Sequence, residues 1–179
     1  MGVSNGDLEI SITYAAVGEV MSRWERVELE LATLFSTFEG TPRDDACIKA
    51  FGAKNRIFRD RLRSAEDAAK AYFVKHPNQD HEGEFRAICA DLLKQSDIRN
   101  NIAHSIVYPV TFKDQGTTAY QLRTPWYAYD KLSIKKQSGW CSNEIAQISN
   151  GFRPLAQRIR DLNIGLGGMP ALYRTPFWQ

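Results

Sequence analysis

No stretch of this chain approaches the ~18 consecutive apolar residues of a membrane span, and no charged-then-apolar leader opens it, so a cytoplasmic protein without membrane attachment is expected. Cysteine is scarce. Cys47, Cys89 and Cys141 lie far apart and form no C-x-x-C pair. That pattern excludes a zinc ribbon and a disulfide framework and suits free thiols in a reducing compartment. Cys47 and Cys89 fall on or beside apolar helical stripes, where cysteine serves as a small core residue. Neither sign of charge dominates: 23 basic and 21 acidic residues give a formal charge of +2. Any nucleic-acid surface must therefore be a local patch rather than a property of the whole chain. There is no internal repeat.

What is present fits an ordinary globular domain, 43% hydrophobic and 25% charged. A chain of 179 residues can bury a full core as one domain, residues 1–179, without staples. After a frayed lead-in of ten residues, Val17, Val20, Met21, Trp24, Val27, Leu31, Leu34, Phe35 and Phe38 recur at spacings of three and four. They mark one face of a long helix that Gly40 stops. Thr41-Pro42 opens a second helix, carried by Ile48, Phe51, Phe58, Leu62, Ala65, Ala69 and Tyr72 and ended by His76-Pro77-Asn78. A polar loop to about Gly83 follows. A third helix runs from Phe85 through Ile88, Cys89 and Leu92 to about Ala103.

The composition then changes. Ile106 to Phe112 is β-branched and aromatic, a turn-like run follows, and Thr118 to Leu122 reads as a return strand. Trp126 to Lys136 reads as another extended segment. Ser142 caps a last helix, with Ile145, Ile148, Phe152, Leu155, Ile159 and Leu162 in phase. Because the phase survives Gly151 and Pro154, one kinked helix is expected rather than two. The predicted class is all-α: an antiparallel bundle of about four helices over residues 15–163. A small β-hairpin insert, about 105–140, precedes the last helix, and a flexible tail spans 164–179.

Chemistry concentrates at the end of the third helix. Arg99 lies on the apolar stripe one heptad after Leu92, where a guanidinium needs a carboxylate, a phosphate or a cleft. Asp97, Asn100 and His104 share another line, at spacings of three and four. Arg99 sits about 140° round the helix from His104, so a long side chain, a frayed helix end or a second copy of the site must bring them together. Histidine moves protons near neutral pH, and arginine matches phosphate oxygens and steadies a pentacoordinate phosphorane. With a ribose 2′-OH as nucleophile, RNA cleavage needs no metal or other cofactor. The competing reading pairs Arg99 with Glu25 or Glu28 and leaves Asn100 and His104 as helix-end caps.

Arg99-Asn100-x-x-x-His104 resembles the R-N-x-x-x-H signature of HEPN domains. The likeness extends to Trp24-x-x-Val27-Glu28 in the first long helix and to Ile102-Ala103-His104 followed by extended chain. The resemblance implies a helical bundle, usually a homodimer, with the motif lining a cleft at the dimer interface. Many HEPN proteins are metal-independent endoribonucleases of toxin–antitoxin, defence or RNA-processing systems; others are non-catalytic binding modules. It further implies catalytic roles for Arg99 and His104, an orienting role for Asn100, RNA as partner, and an antitoxin or operon partner of unknown identity; Asp97, on the line of Asn100 and His104, is expected to support them. Minimal HEPN toxins often carry Tyr two residues after the His; here Ile106 takes that place and the nearest Tyr is Tyr108.

Two weaker features stand beside the motif. Arg56, Arg59, Arg63 and Lys70 line one face of the second helix and could track phosphates, though Asp60, Glu66 and Asp67 interleave with them as in a solvated, salt-bridged face. Tyr108, Tyr120, Trp126, Tyr127 and Tyr129 could stack bases or pack the insert onto the helices. His76 and His81 flank Pro77 in the polar loop. No cysteine or carboxylate cluster accompanies them, so they read as solvated and no metal site is expected.

Overall fold

The computed structural model describes residues 6–54, 57–112, 116–125 and 139–171. The class is all-α with a two-stranded antiparallel hairpin before the last helices. In chain order the elements are α1 (Ile10–Phe38), α2 (Asp45–Lys54), α3 (Phe58–Lys75), α4 (Gln79–Ala103), β1 (Ile106–Phe112), β2 (Thr117–Arg123), α5 (Ser142–Asn150) and α6 (Phe152–Gly165). The chain forms two compact units, residues 1–25 with 94–153 and residues 26–93 with 154–179.

In the second unit the expected stripe of α1 is buried at Val27, Leu31, Leu34 and Phe38. Phe38 gathers the rings of Tyr72, Phe73 and Phe85 at 5.5, 5.8 and 5.1 Å, which fixes α3 and the first half of α4 around it. Gly40 ends α1 as expected. At φ +75° it serves a Schellman stop in which its N–H donates to Thr37 O and the Thr41 N–H to Ser36 O. Ion pairs between charged side chains brace this unit. Glu28 pairs with Arg61, and Arg158 reaches both Glu84 and Asp91. The Glu30 carboxylate is 1% exposed, and its Oε1 accepts two hydrogen bonds from Arg160, from Nε at 3.0 Å and Nη2 at 2.7 Å.

In the first unit Trp24 is fully buried and meets Phe152 edge-on at 5.3 Å. The hairpin pairs in the expected place, with Pro109 opposite Tyr120. Tyr120 turns its N–H and C=O away from β1, to Asp7, so its β1 partner needs no donor and proline is tolerated there. The Asp7 carboxylate accepts hydrogen bonds from Thr13 Oγ1 at 2.6 Å, from the Ser142 N–H at 2.9 Å and from Ser142 Oγ at 2.6 Å. One short segment thereby holds the start of α1, the outer edge of β2 and the first turn of α5.

Several boundaries differ from the sequence expectation. The lead-in is tied down at Asp7, and α1 starts at Ile10. The expected second helix is two helices, α2 and α3. The third begins at Gln79 rather than near Phe85, because Asn78 Oδ1 accepts the His81 N–H at 3.0 Å and caps the helix straight after Pro77. The last helix divides into α5 and α6 at Gly151, although Gly151 keeps right-handed helical torsions (φ −70°, ψ −23°). Pro154 has no N–H for the carbonyl of Asn150, so the bonding pattern breaks while the apolar phase continues. Cys141, not Ser142, occupies the cap position of α5. The tail is ordered at its start. Gly167 (φ +80°) closes α6 by a second Schellman stop, Asn163 Nδ2 donates to Met169 O, and Ala171 is buried. The extended segment expected at Trp126 to Lys136, with Tyr127 and Tyr129, lies outside the described residues.

The Glu30–Arg160 pair yields a test of the second unit. Glu30→Ala leaves a guanidinium without its buried counter-charge and is expected to cost about 3 kcal/mol, and adding Arg160→Met should recover part of that loss. Urea unfolding followed by circular dichroism measures both. A Glu30→Ala loss below about 0.5 kcal/mol would show that the pair contributes no more than a surface contact.

Candidate functional site

The motif residues occupy the last turn and a half of α4 and the turn after it. Ile102 is fully buried and Ser96 nearly so, which anchors this end of the helix in the first unit. Arg99 and Asn100 are half-buried, and Asp97 and His104 are exposed. Arg99 Nη1 donates to Asn100 Oδ1 at 2.9 Å, and its guanidinium carbon lies 5.6 Å from the centroid of the Trp24 ring. A guanidinium on an apolar stripe is thus received by an aromatic face and a neighbouring amide, a cation–π arrangement that keeps the charge at low desolvation cost. Sequence reasoning expected a carboxylate, a phosphate or a cleft for Arg99 and did not consider Trp24. Glu28, one of the carboxylates considered for it, is paired with Arg61.

His104 follows the last helical residue. Its N–H donates to Asn100 O at 3.0 Å, and Ser105 Oγ donates to Asn101 O at 2.6 Å, so the chain turns out of the helix into β1 with its last carbonyls satisfied. The imidazole makes no hydrogen bond or ion pair among the described residues. The structure therefore joins Arg99 to Asn100 by a side-chain hydrogen bond, whereas His104 is connected to Asn100 only through the backbone.

Of the basic line, Arg59, Arg63 and Lys70 are exposed on α3, and Arg56 lies outside the described residues. Arg63 and Lys70 have no ion-pair partner among the described residues, while Arg59 is engaged. The expected salt-bridged face is thus only partly realised. Lys70 also borders a groove of about 520 Å³ between α3 and α4, floored by Ala69, Phe73, Phe85 and Cys89. Burial, with the Glu66 carboxylate adding to it, pushes the Cys89 thiol up to about 12. Cys89 is accordingly the core residue that the sequence suggested and not a nucleophile.

Among the described residues no group of three or more His, Cys, Asp or Glu side chains could hold a metal ion, and no helix is long and apolar enough to cross a membrane. Compared with known proteins, the chain matches no family model, no curated protein and no solved structure.

Two outcomes follow from these surroundings. Arg99→Met should lose the cation–π contact and cost about 0.5–2 kcal/mol, whereas His104→Ala should stay within about 0.5 kcal/mol of the parent. A single thermal-melting series decides this, and equal losses would mean that His104 is packed as tightly as Arg99. The second outcome concerns Cys89, whose thiol is pushed by burial up to about 12 from an ordinary 9.0. The folded state holds the thiol proton more tightly, so this contribution to stability is intact below pH 9 and is lost as pH rises from 9 toward 12. At pH 8 Cys89 should resist iodoacetamide until the protein is unfolded, while the half-exposed Cys47 and Cys141 react first. Peptide mapping of alkylated sites reads this directly.

Proposed function

We propose that this protein is a HEPN-type, metal-independent endoribonuclease that acts in the cytoplasm as a homodimer. The observation that carries the reading is the exposed imidazole of His104, unengaged among the described residues, one turn beyond an Arg99–Asn100 pair. In this reading the substrate is RNA, because the ribose supplies its own nucleophile. His104 takes the proton of the 2′-OH as that oxygen attacks the adjacent phosphorus. The bond from phosphorus to the 5′-oxygen breaks, and a protonated His104 from the second copy of the chain returns a proton to the leaving oxygen. The products are a 2′,3′-cyclic phosphate and a free 5′-hydroxyl. Arg99 stabilises the phosphorane charge, Asn100 sets the angle of its guanidinium, and Asp97 supports the same helix end. Arg59, Arg63 and Lys70 provide phosphate contacts away from the scissile bond. A defence or toxin–antitoxin setting with a neutralising partner fits such an activity.

A second reading, a non-catalytic HEPN-like module that binds nucleotide or protein, draws on the same Trp24 contact. A guanidinium already stacked on a buried indole is a stable structural element as well as a possible phosphate ligand. The two readings separate in one assay on structured and single-stranded RNA. The nuclease reading expects cleavage that persists in EDTA, cyclic-phosphate ends, and loss of activity in both His104→Ala and Arg99→Ala with the fold retained. Wild-type protein no more active than a mock preparation, together with a severely destabilised Arg99→Ala, would end the nuclease reading. Cleavage abolished by chelator and restored by Mg²⁺ would overturn the mechanism. Light scattering that shows only monomer at micromolar concentration would remove the dimer.

A further inference from the structure

The two histidines that read as solvated loop residues face one cavity in the second unit. His76 closes α3, where it caps the helix with its N–H on Tyr72 O, and His81 lies in the first turn of α4. Both line a cavity of about 270 Å³ together with Tyr72, Asn78, Gly165 and Leu166. Contacts can be traced around it. The His76 ring lies 4.7 Å from that of Tyr72, Tyr72 Oη donates to Leu166 O at 3.4 Å, and the neighbouring Gly165 lies beside the His81 imidazole. A Cβ at position 165 would stand 3.2 Å from His81 Nε2, so the glycine leaves that nitrogen room. Neither imidazole has a hydrogen-bond partner among the described residues. The Asn78 side chain is occupied in capping α4.

Two imidazoles with unused nitrogens, set at the ends of different helices around one small cavity, have the chemistry of a borderline transition-metal site. Hard cations such as Mg²⁺ and Ca²⁺ prefer oxygen donors, and cuprous ions prefer sulfur. We propose that His76 and His81 bind a divalent transition-metal ion of the zinc or nickel type, with water completing its coordination. Two protein ligands give weaker binding than the three or four of a catalytic or structural zinc centre. The role this suits is a reversible clasp that ties the end of α3 to the start of α4 when the ion is present. The site is separate from Arg99 and His104, and the proposal does not rest on the nuclease reading.

Isothermal titration of the untagged full chain with ZnCl₂ tests the site without any activity measurement. The wild type should bind one equivalent with micromolar affinity and melt at a higher temperature when loaded. His76→Gln and His81→Gln should each weaken binding by about tenfold or more. Gly165→Ala, which crowds His81 Nε2 without removing a ligand, should weaken it to a lesser degree. Circular dichroism confirms that each variant remains folded. Zinc binding that survives both histidine replacements would assign the ion to the thiols or carboxylates and overturn the proposal. So would a wild type that binds no zinc at millimolar concentration.

Discussion

The burial of one aromatic side chain, Trp24, sets the position of the Arg99 guanidinium. The indole is fully enclosed on α1, takes the edge of Phe152, and receives the guanidinium of Arg99 at 5.6 Å. An indole of that size contributes several kcal/mol when removed from water, more than a helix end could supply from its own hydrogen bonds. The last turns of α4 are therefore held by packing, and the Arg99–Asn100 bond is formed on a rigid base. His104, one residue past the helix, is outside that packing, and its imidazole makes no hydrogen bond or ion pair among the described residues.

The second unit is stabilised differently. Its ring cluster around Phe38 is supplemented by ion pairs that connect separate helices: Glu28 to Arg61, Glu30 to Arg160, and Arg158 to Glu84 and Asp91. Arg158 and Arg160 of α6 are consumed in this bracing, while Arg63 and Lys70 of α3 have no ion-pair partner among the described residues. With a net charge of +2, the chain has few surplus cations, and structural pairing decides which of them remain available to a ligand.

The stripe of α1, the Gly40 stop, the hairpin strands and the apolar phase of α5 and α6 were legible in the sequence because each depends on residues within a few positions of one another. The start of α4 was not read correctly. The Asn78 cap overrides the polar composition of the next six residues, a hydrogen bond that hydropathy does not register. The division at Gly151 was missed for a related reason: periodicity reports which face is buried, not whether every backbone bond is made.

By itself the sequence determined the helical class, the hairpin and the shared line of Asp97, Asn100 and His104, since helical geometry fixes which neighbours share a face. Tertiary structure alone decided what each of them meets. Trp24 is 75 positions from Arg99, Asp7 is 135 from Ser142 and Gly165 is 84 from His81, as their residue numbers give. Contacts at such separations arise from packing of distant segments around shared apolar surface, and no periodicity in the intervening chain encodes them.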